Sequence, residues 1–159
     1  MPDKNPNHAG GHELVITHTL HAPRALVWQA WTDPKHIMQW WGPKGFANSS
    51  CAIDLCAGGE FNLVMCAPDG KTYPCKGVCC EINEPVRIVF DSTAEESHPC
   101  GAGLPPRARV TITFAEYAGE TTITLHTIFE STARKDAANQ AGYSINWDDA
   151  LGRLARHIE

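Results

Sequence analysis

The sequence predicts an α+β fold in which a curved antiparallel β-sheet wraps a long C-terminal α-helix. Three observations lead there. Apolar and polar residues alternate in short runs from Leu14 onward and again between Cys51 and Phe129, the period of half-buried strands. Tyr143, Trp147, Leu151, Leu154 and Ile158 then recur at spacings of three and four, which makes one apolar helical stripe. Between the first strand and the rest, residues 22–46 hold Trp28, Trp31, Trp40 and Trp41, all but one of the 5 tryptophans. Rings this dense are costly to expose, so the stretch must cover a large apolar surface or line a cavity.

Taken in order, Leu14, Ile16, His18 and Leu20 face one way in a first strand, and Val15, Thr17 and Thr19 face the other. Pro23 suits the first position of a helix, and Leu26, Val27, Ala30 and Trp31 continue at helical spacing. Asp33-Pro34 is a cleaner helix start, a capping carboxylate followed by proline. That second short helix carries Ile37, Met38, Trp40 and Trp41 and stops at Gly42-Pro43. Adjacent helical positions point about 100° apart. One of Trp40 and Trp41 is therefore expected in the core and the other at a groove or cavity mouth.

Strands are expected over 51–56 and 60–66, joined at Gly58-Gly59. Pro68-Asp69-Gly70 is a turn, proline presetting the bend and glycine accepting positive φ. Strands over 72–82 and 86–90 flank a second turn at Glu84-Pro85. Residues 91–106, rich in Ser, Glu, Gly and Pro, read as a long loop and a candidate lid. Val110, Ile112 and Phe114 alternate, Ala118-Gly119 turns, and Ile123, Leu125, Thr127 and Phe129 alternate again before the terminal helix.

A chain of 159 residues fits one domain, here 13–159 behind a flexible N-terminal leader over 1–12. Its net charge of -5, with Lys and Arg scattered, argues against nucleic acid and against an anionic membrane surface. No apolar run approaches the ~20 residues of a membrane span. The N-terminus lacks the basic-then-apolar order of a signal peptide, so a cytoplasmic location is expected. The 7 cysteines are odd in number and lack an export signal, which disfavours a disulfide framework.

The order and spacing of APRALVWQAWTDP, QWWGPKGF, Asp54 with the Gly58-Gly59 turn, and APDGKTYP point to a family. So do IFES at 128–131, Asp136-Ala137, and the terminal Trp147, Leu151, Arg153 and Leu154. Together they resemble the bacterial proteins similar to the activator of the heat shock protein 90 ATPase. These belong to the START-like (SRPBCC, Bet v-like) helix-grip superfamily, and the resemblance runs over about 14–158. It implies a hydrophobic cavity between the terminal helix and the concave sheet, roofed by the two short helices. It does not imply one function, because members bind lipids, hormones or polyketides and some are enzymes.

Within that cavity the expected ligand contacts are Tyr143, Trp147 and Leu151 on the helical stripe and Trp41 from the roof. His18 or Thr127 would supply a polar anchor; simple core packing is the competing reading for all of them. His126 and Thr127 lie on opposite strand faces, and Thr127 is the one expected inside. Asp54, Glu60, Asp148 and Asp149 form no acid/base pair, so no catalytic residue and no cofactor is assigned. Where relatives often carry Arg or another polar residue, this chain has Cys56, Cys66 and Cys75, and it adds Cys79-Cys80. If their strands are neighbours, Cys56, Cys66, Cys75 and Cys80 would make a soft-metal or arsenic(III) thiolate site; the alternative is buried unpaired thiols. Alternation puts Cys79 and Cys80 on opposite faces unless a bulge intervenes.

The expected partner is thus an apolar or aromatic small molecule. A co-chaperone-like interaction with a chaperone ATPase is the alternative, followed by a cavity hydrolase or cyclase. A homodimer would be favoured by an exposed Trp40 or Trp41.

Overall fold

Seven strands and four helices form among the residues that the computed structural model describes, 12–93 and 108–159. Nearly all of the expected leader, and most of the expected 91–106 loop, lie outside them. The order is β1 (Glu13–Leu20), α1 (Arg24–Thr32), α2 (Pro34–Trp40), β2 (Ala47–Ile53), β3 (Glu60–Cys66), β4 (Thr72–Asn83), β5 (Arg87–Ser92), β6 (Arg109–Tyr117), β7 (Glu120–Ile128), α3 (Thr132–Gln140) and α4 (Tyr143–Ile158). The strands make one antiparallel sheet in the order β1-β7-β6-β5-β4-β3-β2. Strands β2 to β7 are a meander, and β1 closes the far edge against β7 after α1 and α2 cross over. This curved sheet with its long terminal helix is the helix-grip architecture.

Strand alternation sets the inner face. Leu20, Phe61, Leu63, Met65, Ile88, Phe90, Ile112, Phe114, Ile123 and Leu125 are all buried there. Helix α4 turns Tyr143, Trp147, Ala150, Leu151 and Leu154 inward, the stripe that the sequence places on it. Asp33 caps α2 as its position predicts, its carboxylate accepting from the Lys35 N–H at 2.9 Å, with Pro34 in the first turn. Helix α1 starts one residue late, because Pro23 is its cap and not its first helical residue.

Three expectations are corrected. The strand expected over 51–56 is shifted to Ala47–Ile53. Asp54 to Gly59 are spent on the turn, where the Asp54 N–H donates to the Glu60 carbonyl (2.9 Å) and the Gly59 N–H to that of Cys56 (2.9 Å). Helix α3 was not anticipated; its signal is Ser131, whose hydroxyl accepts from the Arg134 N–H at 3.2 Å. Finally, Trp40 and Trp41 are both buried, at 0% and 2% exposure, so neither offers an exposed ring for pairing two copies. The 100° rule fails because the helix ends between them. Trp41 is the extended C-cap residue (φ -64, ψ 135), which turns its ring inward beside its neighbour.

The β6–β7 turn carries a testable strain. Ala118 sits at φ 53 and Gly119 at φ 81, the geometry of a two-residue hairpin turn with both central residues left-handed. An alanine Cβ disfavours that region by ~1–2 kcal/mol. Ala118→Asn is expected to stabilise the protein by ~1 kcal/mol, read as a higher urea midpoint at unchanged slope.

Candidate functional site

Seven tightly packed aromatic side chains lie where α1, α2 and α4 meet the sheet. The rings of Trp31 and Trp147 are parallel to within 8° with centroids 6.0 Å apart. Trp41 meets Trp147 edge-on at 5.1 Å and lies 5.3 Å from Phe61. Trp40 packs at 4.7 Å on Trp31 and donates its indole N–H to the Ala30 carbonyl at 2.9 Å. Phe129 closes on Tyr143 at 5.4 Å. Edge-on and offset geometries of this kind each add roughly 0.5–1.5 kcal/mol beyond area burial.

Polar groups inside are few and mostly paired. The Thr127 hydroxyl lies 2.7 Å from the Tyr143 hydroxyl, both side chains being buried. Trp147 also bonds to the Tyr143 hydroxyl, so three expected contact residues form one network across β7 and α4. Burial pushes the Tyr143 phenol well above its ordinary value, against the opposing pull of those two bonds, so it stays neutral and able to donate. Leu151 is fully buried beside them on the same helical stripe. Two buried side-chain atoms find no hydrogen-bond partner among the described residues, the Asn48 Oδ1 of β2 and, among the rings, the indole Nε1 of Trp31. No local pattern marks this, because Trp31 reads as one ring among several in an apolar run.

His18 lies on the inward face of β1, opposite Ile123, and is half-buried. It makes no hydrogen bond among the described residues, so the carbonyl partner expected of a core histidine is not there. Thr127 faces in, while His126 faces out and pairs with the Glu13 carboxylate at 2.7 Å. Arg153 joins α4 to the end of α2, its Nη1 donating to the carbonyls of Trp41 (3.2 Å), Gly42 (3.0 Å) and Pro43 (3.1 Å). Those carbonyls follow the C-terminus of a short helix; that of Trp41 also accepts from the Asn48 Nδ2 (3.0 Å) and that of Pro43 from the Phe46 N–H (3.1 Å), and a cation beside them complements the helix dipole.

The candidate thiolates do not converge. Cys75 pairs with Leu63 and is buried on the inner face; Cys66 alternates to the outer face, and Cys56 is exposed in the turn before β3. A bulge does lie between Cys79 and Glu81, yet the two neighbours still diverge. Cys79 is fully buried, whereas Cys80 sits outside beside Asp91, whose carboxylate Arg109 grips at 2.7 and 2.9 Å. Among the described residues no three His, Cys, Asp or Glu side chains group closely enough to hold a metal ion.

Burial pushes the Cys51 and Cys79 thiols up from 9.0 to about 11. A raised folded-state value means that their contribution to stability is intact below the ordinary thiol range. It is lost as pH rises from about 9 towards 11. The urea midpoint is therefore expected to fall between about pH 8 and pH 11, and to fall less in Cys79→Ala, compared at each pH with its own value at pH 8.

Comparison with known proteins agrees with the architecture. A protein of Nitrosomonas europaea has a solved structure that superposes with TM-score 0.83 at 23% identity, covering 93% of this chain and 94% of its own. One from Mycobacterium smegmatis superposes with TM-score 0.78 at 24% identity, covering 92% and 90%. An AHSA1-like protein from Aeromonas hydrophila does so with TM-score 0.68 at 24% identity, covering 91% of each. Identities this low speak for the fold alone. No protein of curated function matches the sequence. No described helix is long and apolar enough to cross a membrane. The family described as "Activator of Hsp90 ATPase homolog 1-like protein" matches residues 21–159, nearly the whole described domain, and this chain belongs to it.

Proposed function

We propose that the protein binds an apolar or aromatic small molecule bearing a hydrogen-bond acceptor, held among the rings between α4 and the sheet. The observation that carries this reading is the buried, unpartnered indole N–H of Trp31. A buried donor left without an acceptor costs roughly 1–3 kcal/mol, which an acceptor on the ligand would recover. Around it, Trp41, Trp147 and Leu151 supply apolar contact, and burial at about 25 cal/mol per Å2 would dominate affinity. The Tyr143–Thr127 pair and the half-buried His18 are the remaining polar anchors.

The test is native mass spectrometry of freshly purified, reduced protein against the same sample denatured, followed by titration of tryptophan fluorescence with 2-naphthol. A mass excess that disappears on denaturation, or saturable quenching by 2-naphthol that weakens in Trp31→Phe, is the expected result. Neither excess nor saturable quenching would overturn the reading.

A second reading, activation of a chaperone ATPase, is favoured by the family to which the chain belongs. Turnover of purified Hsp90 with and without the protein decides it; an unchanged rate removes it.

A further inference from the structure

A surface depression of about 350 Å3 lies between the ends of α2 and α4, lined by Gln39, Lys44, Gly45, Arg153, Arg156 and His157. It is separate from the aromatic interior, and its chemistry is different. His36 of α2 reaches the same place, its Nδ1 2.9 Å from the His157 Nε2. In a chain of net charge -5, this is a concentration of cationic groups. Arg153 is committed to the carbonyls that end α2. Lys44 and Arg156 are exposed and make no ion pair or side-chain hydrogen bond among the described residues.

The charges these groups face are of one sign. Burial lowers the Arg153 guanidinium value, and the neighbouring charge that lowers it further is Arg156. Burial likewise lowers His157, and the neighbouring charge that adds to this is His36. No carboxylate is among the causes for either group. Glu159, the nearest acid along α4, is turned to the His21 N–H at 2.9 Å. Like charges held together without a counter-charge are unfavourable, and an anion of matching shape relieves them.

From this geometry we infer that the depression binds a phosphate group, free or borne on a phosphomonoester. Phosphate fits better than a single carboxylate. It brings up to two charges and several acceptor oxygens, and donors here approach from the turn before β2 (Lys44), from α4 (Arg156, His157) and from α2 (Gln39, His36). The His36–His157 pair shares a short contact in which at least one ring nitrogen must carry a proton. A bound anion beside the His157 ring favours its protonated form, so that ring is expected to titrate at higher pH when phosphate is bound. The inference stands or falls independently of ligand binding in the interior.

The experiment is a titration of the protein with inorganic phosphate at constant ionic strength, followed by amide and histidine-ring NMR. The expected result is saturable shifts at Lys44, His36 and His157, with the His157 ring titrating at higher pH when phosphate is bound. The double variant Lys44→Gln/Arg156→Gln should bind roughly tenfold more weakly or worse, since two charge-assisted contacts are lost. Both residues are exposed, so its urea midpoint should be unchanged. Shifts that grow without saturating, or that persist unchanged in the variant, would overturn the inference. Vesicles of phosphatidylcholine with phosphatidic acid separate the sources. Co-sedimentation that the variant loses assigns the phosphate to a lipid headgroup; protein that stays in the supernatant while inorganic phosphate binds assigns it to a soluble phosphomonoester.

Discussion

Trp147→Ala is expected to lower the unfolding free energy by ~3–5 kcal/mol, the range for deleting a buried large aromatic. Its ring is 3% exposed and is shared by two partners, stacked on Trp31 at 6.0 Å and edge-on to Trp41 at 5.1 Å. Removing it opens a cavity and also takes away the bond to the Tyr143 hydroxyl. Trp147→Phe separates those effects, keeping most of the apolar volume while losing the N–H, and should cost only ~1–2 kcal/mol. Urea unfolding of the three proteins measures this directly. A loss below ~1 kcal/mol in Trp147→Ala would mean that the interior does not depend on that ring for packing. Engineered apolar cavities stay dry and accept apolar guests, so if the variant folds it should also bind benzene-sized molecules.

The turn before β3 should respond nearly as strongly. A Cβ added at Gly59 would lie 2.0 Å from the Asp54 carbonyl oxygen, a backbone atom that no rotamer change can move away. To admit it, the turn must shift and give up the Gly58 N–H to Cys79 carbonyl bond (2.7 Å) and the Cys79 N–H to Gly59 carbonyl bond (2.8 Å). Gly59→Ala is therefore expected to cost ~2–4 kcal/mol, combining overpacking with lost backbone bonds. Its neighbour is the control. Gly58 has φ +86 but open space around the added atom, so Gly58→Ala should cost only the ~1–2 kcal/mol of a left-handed alanine. Equal losses at the two positions in a urea titration would show that close approach to Asp54 is not what requires glycine at 59.

Much of this architecture could be read residue by residue before any coordinates. The stripe from Tyr143 to Ile158 coincides with α4, and Asp33-Pro34 caps α2 as its chemistry demands. Those readings succeed because helical period, strand alternation and capping are local properties of a few neighbouring residues. Helix α3 was missed because its sequence, TARKDAANQ, has little apolar period; only Ala138 of it is buried, and the capping Ser131 was the one usable mark. The Cys51 strand was misplaced because alternation runs on unbroken through Asp54, Leu55 and Cys56, while the chain has already turned to satisfy Gly58 and Gly59.

The amino-acid sequence by itself determined the order of the strands and of α1, α2 and α4, and the placing of Thr127, Tyr143, Trp147 and Leu151 in the interior. Only the tertiary structure decided that Trp41 joins Trp40 in the core, because that follows from where the α2 backbone leaves the helix. It alone left the Trp31 N–H without an acceptor, and it alone gathered Lys44, Arg156 and His157 around one depression. More than a hundred residues of chain separate Lys44 from Arg156 and His157. Their meeting depends on how α4 seats against α2, which packing of the whole fold sets and no local pattern records.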